Sequence, residues 1–138
     1  MPMSFRNLDP KVPRVWVTFT SVANRPKVKA EIANTFSLRE KGLGGRSSLP
    51  QGEGMLFDFP SEGFHSLWMK DVDFPLEGVF FNRGKVVVGV VSLRPRDLTP
   101  RSAYAPSRWI LEVPAGWCGR NGVATGAQAS WPEGLVEA

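Results

Sequence analysis

Two stretches near the start of the chain alternate apolar and polar residues with a period of two, and this pattern constrains the fold most strongly. In Arg14-Val15-Trp16-Val17-Thr18-Phe19-Thr20, Val15, Val17 and Phe19 share one side. In Lys27-Val28-Lys29-Ala30-Glu31-Ile32, Val28, Ala30 and Ile32 oppose Lys27, Lys29 and Glu31. Successive side chains of a strand point to opposite faces, so both stretches read as half-buried strands. The same reading extends to 54–58, 64–70, 76–82, 85–92 and 108–113. Arg83-Gly84 between two of these predicts a hairpin with Gly84 at positive φ. One helix signal stands out: Asn34 or Thr35 as cap, Ser37 and Glu40 in a capping box, and Gly42 as the stop, which leaves about two turns.

With 14 glycines and 12 prolines among 138 residues, the chain favours many short elements joined by turns and disfavours a helical bundle. The length suits one domain of about 150 residues. The expectation is a mainly β fold, a β-sandwich or flattened barrel of antiparallel strands with one short helix. Residues 1–13 are read as an N-terminal arm, 14–130 as a single β-rich domain and 131–138 as a C-terminal tail. Between Leu93 and Ser107, three prolines and no periodicity mark a loop of unusual length, a common setting for function.

The net charge of +4 permits an anionic partner, but its distribution argues against sequence-specific nucleic-acid binding. Residues 51–80 carry one base and six acids, and the remaining basic residues are scattered without a Lys/Arg block. One cysteine, Cys118, and one histidine, His65, leave no zinc-type ligand set, so no metal and no cofactor are expected. No apolar run approaches the ~18 residues of a membrane span, and Met1-Pro2-Met3-Ser4 opens no export signal. As written the chain reads as cytoplasmic, although a mature exported form with its leader removed would read the same way. The oligomeric state has no signature in the sequence.

Ordered blocks along the chain carry a more specific message. They are Thr35; Gly42-Leu43 with Arg46 and Leu49; Gly54-Met55-Leu56-Phe57 with Phe59; Leu67-Trp68-Met69-Lys70; Pro75-Leu76-Glu77; Phe80-Phe81-Asn82; and Leu111-Glu112 with Ala115-Gly116. In this order they resemble the domain of unknown function 192 family, over residues from about 15 to 126. The resemblance implies a β-rich, sandwich-like fold with a small helix, a distribution across bacteria and archaea, frequent export signals, and no established activity. The sequence departs from the family pattern at Gly44 (usually Met), Leu67 (usually Phe), Asp71-Val72 (usually Asn-Thr), Glu77 (usually Asp) and Asn82 (usually Asp). A longer arm at position 77 would disturb tightly positioned chemistry, which favours binding or structure over catalysis there.

Read without the family, Trp68 and Lys70 share one side of an alternating stretch, and an aromatic beside a cation suggests a ligand wall. Glu77 falls with Val79 and Phe81, and Glu112 with Ile110, so both acids sit in apolar company and need partners. Arg46 and Lys70 are the expected cations, neutralising Glu77 and Glu112 in a partly buried cluster beside Trp68. His65, Ser66 and Cys118 lack the neighbours that catalysis would need. The candidate ligand-binding residues are therefore Arg46, Trp68, Lys70, Glu77 and Glu112. The expected function is binding of a small polar ligand or a sugar in a pocket around Trp68. Two alternatives stay open: a glycoside-type hydrolase using Glu77 and Glu112, whose separation the sequence leaves undefined, and an accessory protein-interaction domain.

Overall fold

Six strands and two short helices form within residues 12–132, the part of the chain that the computed structural model describes. In chain order they are β1 (Arg14–Thr18), β2 (Lys27–Ala33), α1 (Phe36–Lys41), β3 (Glu53–Gly63), β4 (Leu76–Phe81), β5 (Val87–Leu93), β6 (Ser107–Pro114) and α2 (Trp117–Asn121). The fold is mainly β, as the alternation requires. The strands make one sheet of order β1-β2-β3-β6-β4-β5. The expected second sheet does not form among the described residues, because helices and loops cover both faces.

The pairing is mixed rather than wholly antiparallel. β2 and β3 run parallel, with Glu31 beside Met55, because the connection between them passes through α1 and returns the chain to the same end of the sheet. All other pairs are antiparallel. β6 is inserted between β3 and β4 and is the most enclosed strand. Gly54 makes this junction possible: a Cβ there would stand 2.5 Å from the Glu112 carbonyl oxygen, so any side chain would push β3 off β6.

Each face of the sheet has its own core. On one, Val17, Val28, Leu56, Phe81, Leu111 and Val113 pack under Trp117, Cys118 and Trp131. Trp131, in the stretch read as a tail, presents its ring to Phe81 and Trp109 at 5.1 and 5.0 Å between centroids. On the other face Met55, Phe57, Phe80 and Ile110 pack under Leu43, Leu67 and Met69.

Local differences from expectation have local causes. In the β4–β5 hairpin, Lys85 and not Gly84 takes the left-handed conformation, at φ 62°. Asn82 Oδ1 accepts from the amides of Gly84 and Val86 at 2.9 and 3.1 Å, so the side chain organises the turn and shifts the left-handed residue along by one. Residues 64–70 alternate in burial as expected but pair at one bridge, Leu67 with Arg101, and not along a strand. The helix α2 escapes a pattern search because it is five residues long. Its amides are held by Glu77: Gly116 N and Cys118 N each donate to one carboxylate oxygen, both at 3.0 Å. Replacing Glu77 with Ala leaves these part-buried amides without an acceptor. The expected loss is about 1–3 kcal/mol of unfolding free energy, with Glu77→Gln losing less, read from urea denaturation; an unchanged midpoint for Glu77→Ala would contradict the assignment.

Candidate functional site

The helix α1 forms for the reasons its sequence states. Thr35 Oγ1 accepts from Leu38 N at 3.1 Å, and Gly42, at φ 50°, closes the end with its amide donating to Leu38 O at 2.9 Å. Phe36, Arg39 and Glu40 then fall three and four residues apart on one side, and with Lys41 they line a cavity of about 450 Å³. Arg39 is held in place: its Nη1 donates to Asp58 O at 2.9 Å and its guanidinium lies 5.5 Å from the Phe59 ring centre.

The opposite wall comes from residues 66–72. Leu67 and Met69 are buried anchors, while Trp68 and Lys70, between and beyond them, stay exposed and line the cavity. The loop after β5 clamps this segment through the amides. Leu67 and Arg101 exchange bonds at 2.9 and 2.8 Å, and Met69 N donates to Asp97 O at 2.8 Å. Asp97 is itself fixed by a 2.8 Å hydrogen bond from Arg101, which with the Thr99 amide lowers its pKa to about 2. The long proline-containing loop thus positions the Trp68 wall. Lys70 Nζ lies 5.7 Å from the Trp68 ring centre.

Glu112 of β6 belongs to the same cavity. It is 3% exposed, and among the described residues no hydrogen bond or ion pair holds its carboxyl group. Met55 of β3 and Gly78 of β4 flank it in register. Burial without compensation raises its pKa from the ordinary 4.5 to about 8, so at neutral pH the group is largely a neutral acid, able to donate a hydrogen bond as well as accept one.

The structure brings together three of the five residues singled out from sequence, Trp68, Lys70 and Glu112, and separates the other two. Arg46 does not reach toward Glu112 as expected. It forms a two-pronged pair with Glu31 of β2, Nη1 to Oε2 at 2.9 Å and Nη2 to Oε1 at 2.8 Å, and Glu31 is fully buried. Glu77 points to the other face, since its neighbour Gly78 is the residue opposite Glu112. The cluster in which Lys70 and Arg46 neutralise Glu77 and Glu112 is therefore corrected: Arg46 serves Glu31, Glu77 holds α2, and Lys70 stands exposed at the cavity edge. The two acids do not share a cleft.

Glu31 carries no site signal in the sequence, because alternation puts it on the polar side of β2 with Lys27 and Lys29, while the Arg46 that meets it lies beyond α1. Phe36, Arg39 and Lys41 carry no such signal: the period of the capped helix places 36, 39 and 40 on one side, but nothing in its sequence says that the sheet lies beneath them. His65 stacks on Phe59 at 3.8 Å between ring centres, and one ring nitrogen meets Ser61 O at 2.8 Å, which accounts for it structurally. The Cys118 thiol is buried beside Glu77, and burial first and the carboxylate second push its pKa up, which disfavours the thiolate. Among the described residues no group of three or more His, Cys, Asp or Glu side chains gathers as metal ligands would. No described helix is long and apolar enough to cross a membrane.

Residues 17–131 match the family model DUF192, described as "Uncharacterized ACR". Two solved structures are similar. A protein of unknown function from Novosphingobium aromaticivorans DSM 12444 is 30% identical, with a TM-score of 0.78 over 87% of this chain and 85% of that one. A protein from Sinorhizobium meliloti 1021, described as "a putative transcription regulator", is 26% identical, with a TM-score of 0.78 over 91% and 98%. No curated protein matches the chain.

Removing Arg46 takes two charge-assisted hydrogen bonds from the fully buried Glu31 carboxylate, whereas Lys70 is exposed and unpaired with any acid among the described residues. Arg46→Met is expected to lower stability by about 3–5 kcal/mol and Lys70→Met by less than about 1 kcal/mol, read from chemical denaturation. The reverse order would contradict the pairing.

Proposed function

The chain belongs to the DUF192 family, a family of unknown function, and from that premise we propose that it is a small-ligand-binding domain whose pocket is the cavity beside Trp68. The observation that carries this reading is Glu112. A carboxyl group 3% exposed, without a protein partner among the described residues and lining a cavity of about 450 Å³, is a hydrogen-bonding group directed at a guest. The volume lies within the ~300–1,000 Å³ of ligand pockets. Trp68 and Phe36, 42% and 73% exposed, supply flat apolar surface at the mouth, of the kind on which a sugar or an aromatic ring stacks.

The hydrolase alternative finds no comparable support, since Glu77 spends both oxygens on backbone amides at the other face. A DNA-binding reading taken from the S. meliloti relative finds none either: the two helices of the described residues are six and five residues long, short for recognition in a groove. An interaction role keeps one observation in its favour, the exposure of Phe36, Phe64 and Tyr104.

Binding is testable without knowing the natural ligand. In a fragment screen followed by ¹⁵N NMR, hits are expected to shift the amides of Gly42, Leu43, Lys70 and Val72 together, and Glu112→Leu is expected to abolish those shifts for fragments bearing a hydroxyl or carboxyl group. Hits scattered over the surface, or gathered around Val22 and Asn121, would overturn the assignment.

A further inference from the structure

Resting on the small-ligand reading above, we infer that the guest is an organic anion with an apolar body: its body enters between Leu67, Val72 and Phe57, and its charged head is held at the mouth by Arg39, Lys41 and Lys70. The argument is a comparison of charges around one space. Three cations and one acid, Glu40, line the cavity besides Glu112. Lys41 and Lys70 are exposed, and no carboxylate pairs with either among the described residues. Their field therefore remains available to a guest. Arg39 is anchored through one nitrogen to Asp58 O, which leaves the rest of its guanidinium to a second acceptor.

The floor decides the sign. An ionised Glu112 would invite a cation and repel an acid. With its pKa raised to about 8 by burial, Glu112 is mostly neutral at pH 7 and contributes little repulsion. Nothing else facing it alters this. β3 and β4 present Met55 and Gly78 on either side. Glu31, two strands away in the same row, is already balanced by Arg46. Among the cavity-lining residues, α1 brings Arg39, Glu40 and Lys41 and the 66–72 segment brings Lys70, a positive sum that Asp71, outside the lining, does not reverse. The protonated carboxyl donates to an oxygen at the inner end of the guest, such as a hydroxyl or carbonyl, or stays unpaired when the guest lacks one. Arg39, already fixed over Phe59, is the positioning element of the mouth, and the two lysines supply charge without fixed geometry.

Three probes of one shape and different charge test the inference: 3-phenylpropionate, 3-phenylpropanol and 3-phenylpropylamine, titrated at pH 7 against the ¹⁵N-labelled protein. The propionate is expected to bind tightest and to shift the amides of Gly42, Leu43 and Lys70, with the amine weakest. In Lys41→Gln/Lys70→Gln, a substitution of two exposed side chains, propionate binding is expected to weaken by about threefold to thirtyfold while propanol binding is unchanged. An amine or alcohol binding in the cavity as tightly as the acid overturns the anionic guest and leaves the ligand-binding reading standing. Failure of all three probes to shift the cavity amides counts against the ligand-binding reading itself.

Discussion

Strand β6 lies between β3 and β4 with both faces of the sheet covered, so an acid buried in the middle of the sheet must find a partner or give up its charge. One row across the sheet shows both outcomes. Arg14, Glu31, Met55, Glu112, Gly78 and Val91 stand side by side, one from each strand. Glu31 takes the first course: Arg46 meets it with two hydrogen bonds and the charge persists. Glu112, two strands further in, takes the second. The same burial that would make a lone carboxylate untenable turns it into a neutral acid at the floor of a cavity.

The elements around that cavity follow from constraints elsewhere. The parallel pairing of β2 and β3 requires a crossover, and the crossover contains α1, whose capped turns bring Phe36, Arg39 and Lys41 over the face that holds Glu112. The proline-containing loop after β5 has no strand to join, and spends its backbone hydrogen bonds on residues 67–72 instead. Trp68 and Lys70 are thereby presented by a segment fixed through its buried neighbours. The site is assembled from three connections and two strands, β3 and β6, which is why no single motif describes it.

Much of this is legible in the sequence, and the limits are physical. Alternation marks all six strands and sorts the two sides of each, because side-chain direction in a strand depends on local backbone geometry alone, but it also marks 64–70, which alternates in burial without pairing along a strand. Thr35 and Gly42 bounded α1 for the same reason: caps act within a few residues. What alternation cannot say is what lies above a face. It could not distinguish one sheet covered by loops from two sheets packed together, nor reveal that Glu31 is buried and Glu77 is not beside Glu112. Partner choice among charges is a long-range property, and Arg46 chose the acid on the strand before its helix. Trp68 and Lys70 stand out as an aromatic beside a cation and Glu112 as an acid in apolar company, whereas Arg39 and Lys41 look like ordinary solvated helix residues until the sheet is placed beneath them.

The claim on which the site rests is the neutral state of Glu112. Its folded pKa is raised above the unfolded value, so between 4.5 and about 8 the native state holds a proton that the unfolded chain releases. Stability from this group is then full below the unfolded pKa and falls as pH rises through that window, by at most about 1.4 kcal/mol per pH unit. Carboxyl-selective ¹³C NMR, with Glu112→Gln to assign the resonance, reads the titration directly. A Glu112 midpoint near 8 is expected; a midpoint at the ordinary 4.5 would contradict a buried, unpartnered acid and the cavity chemistry built upon it.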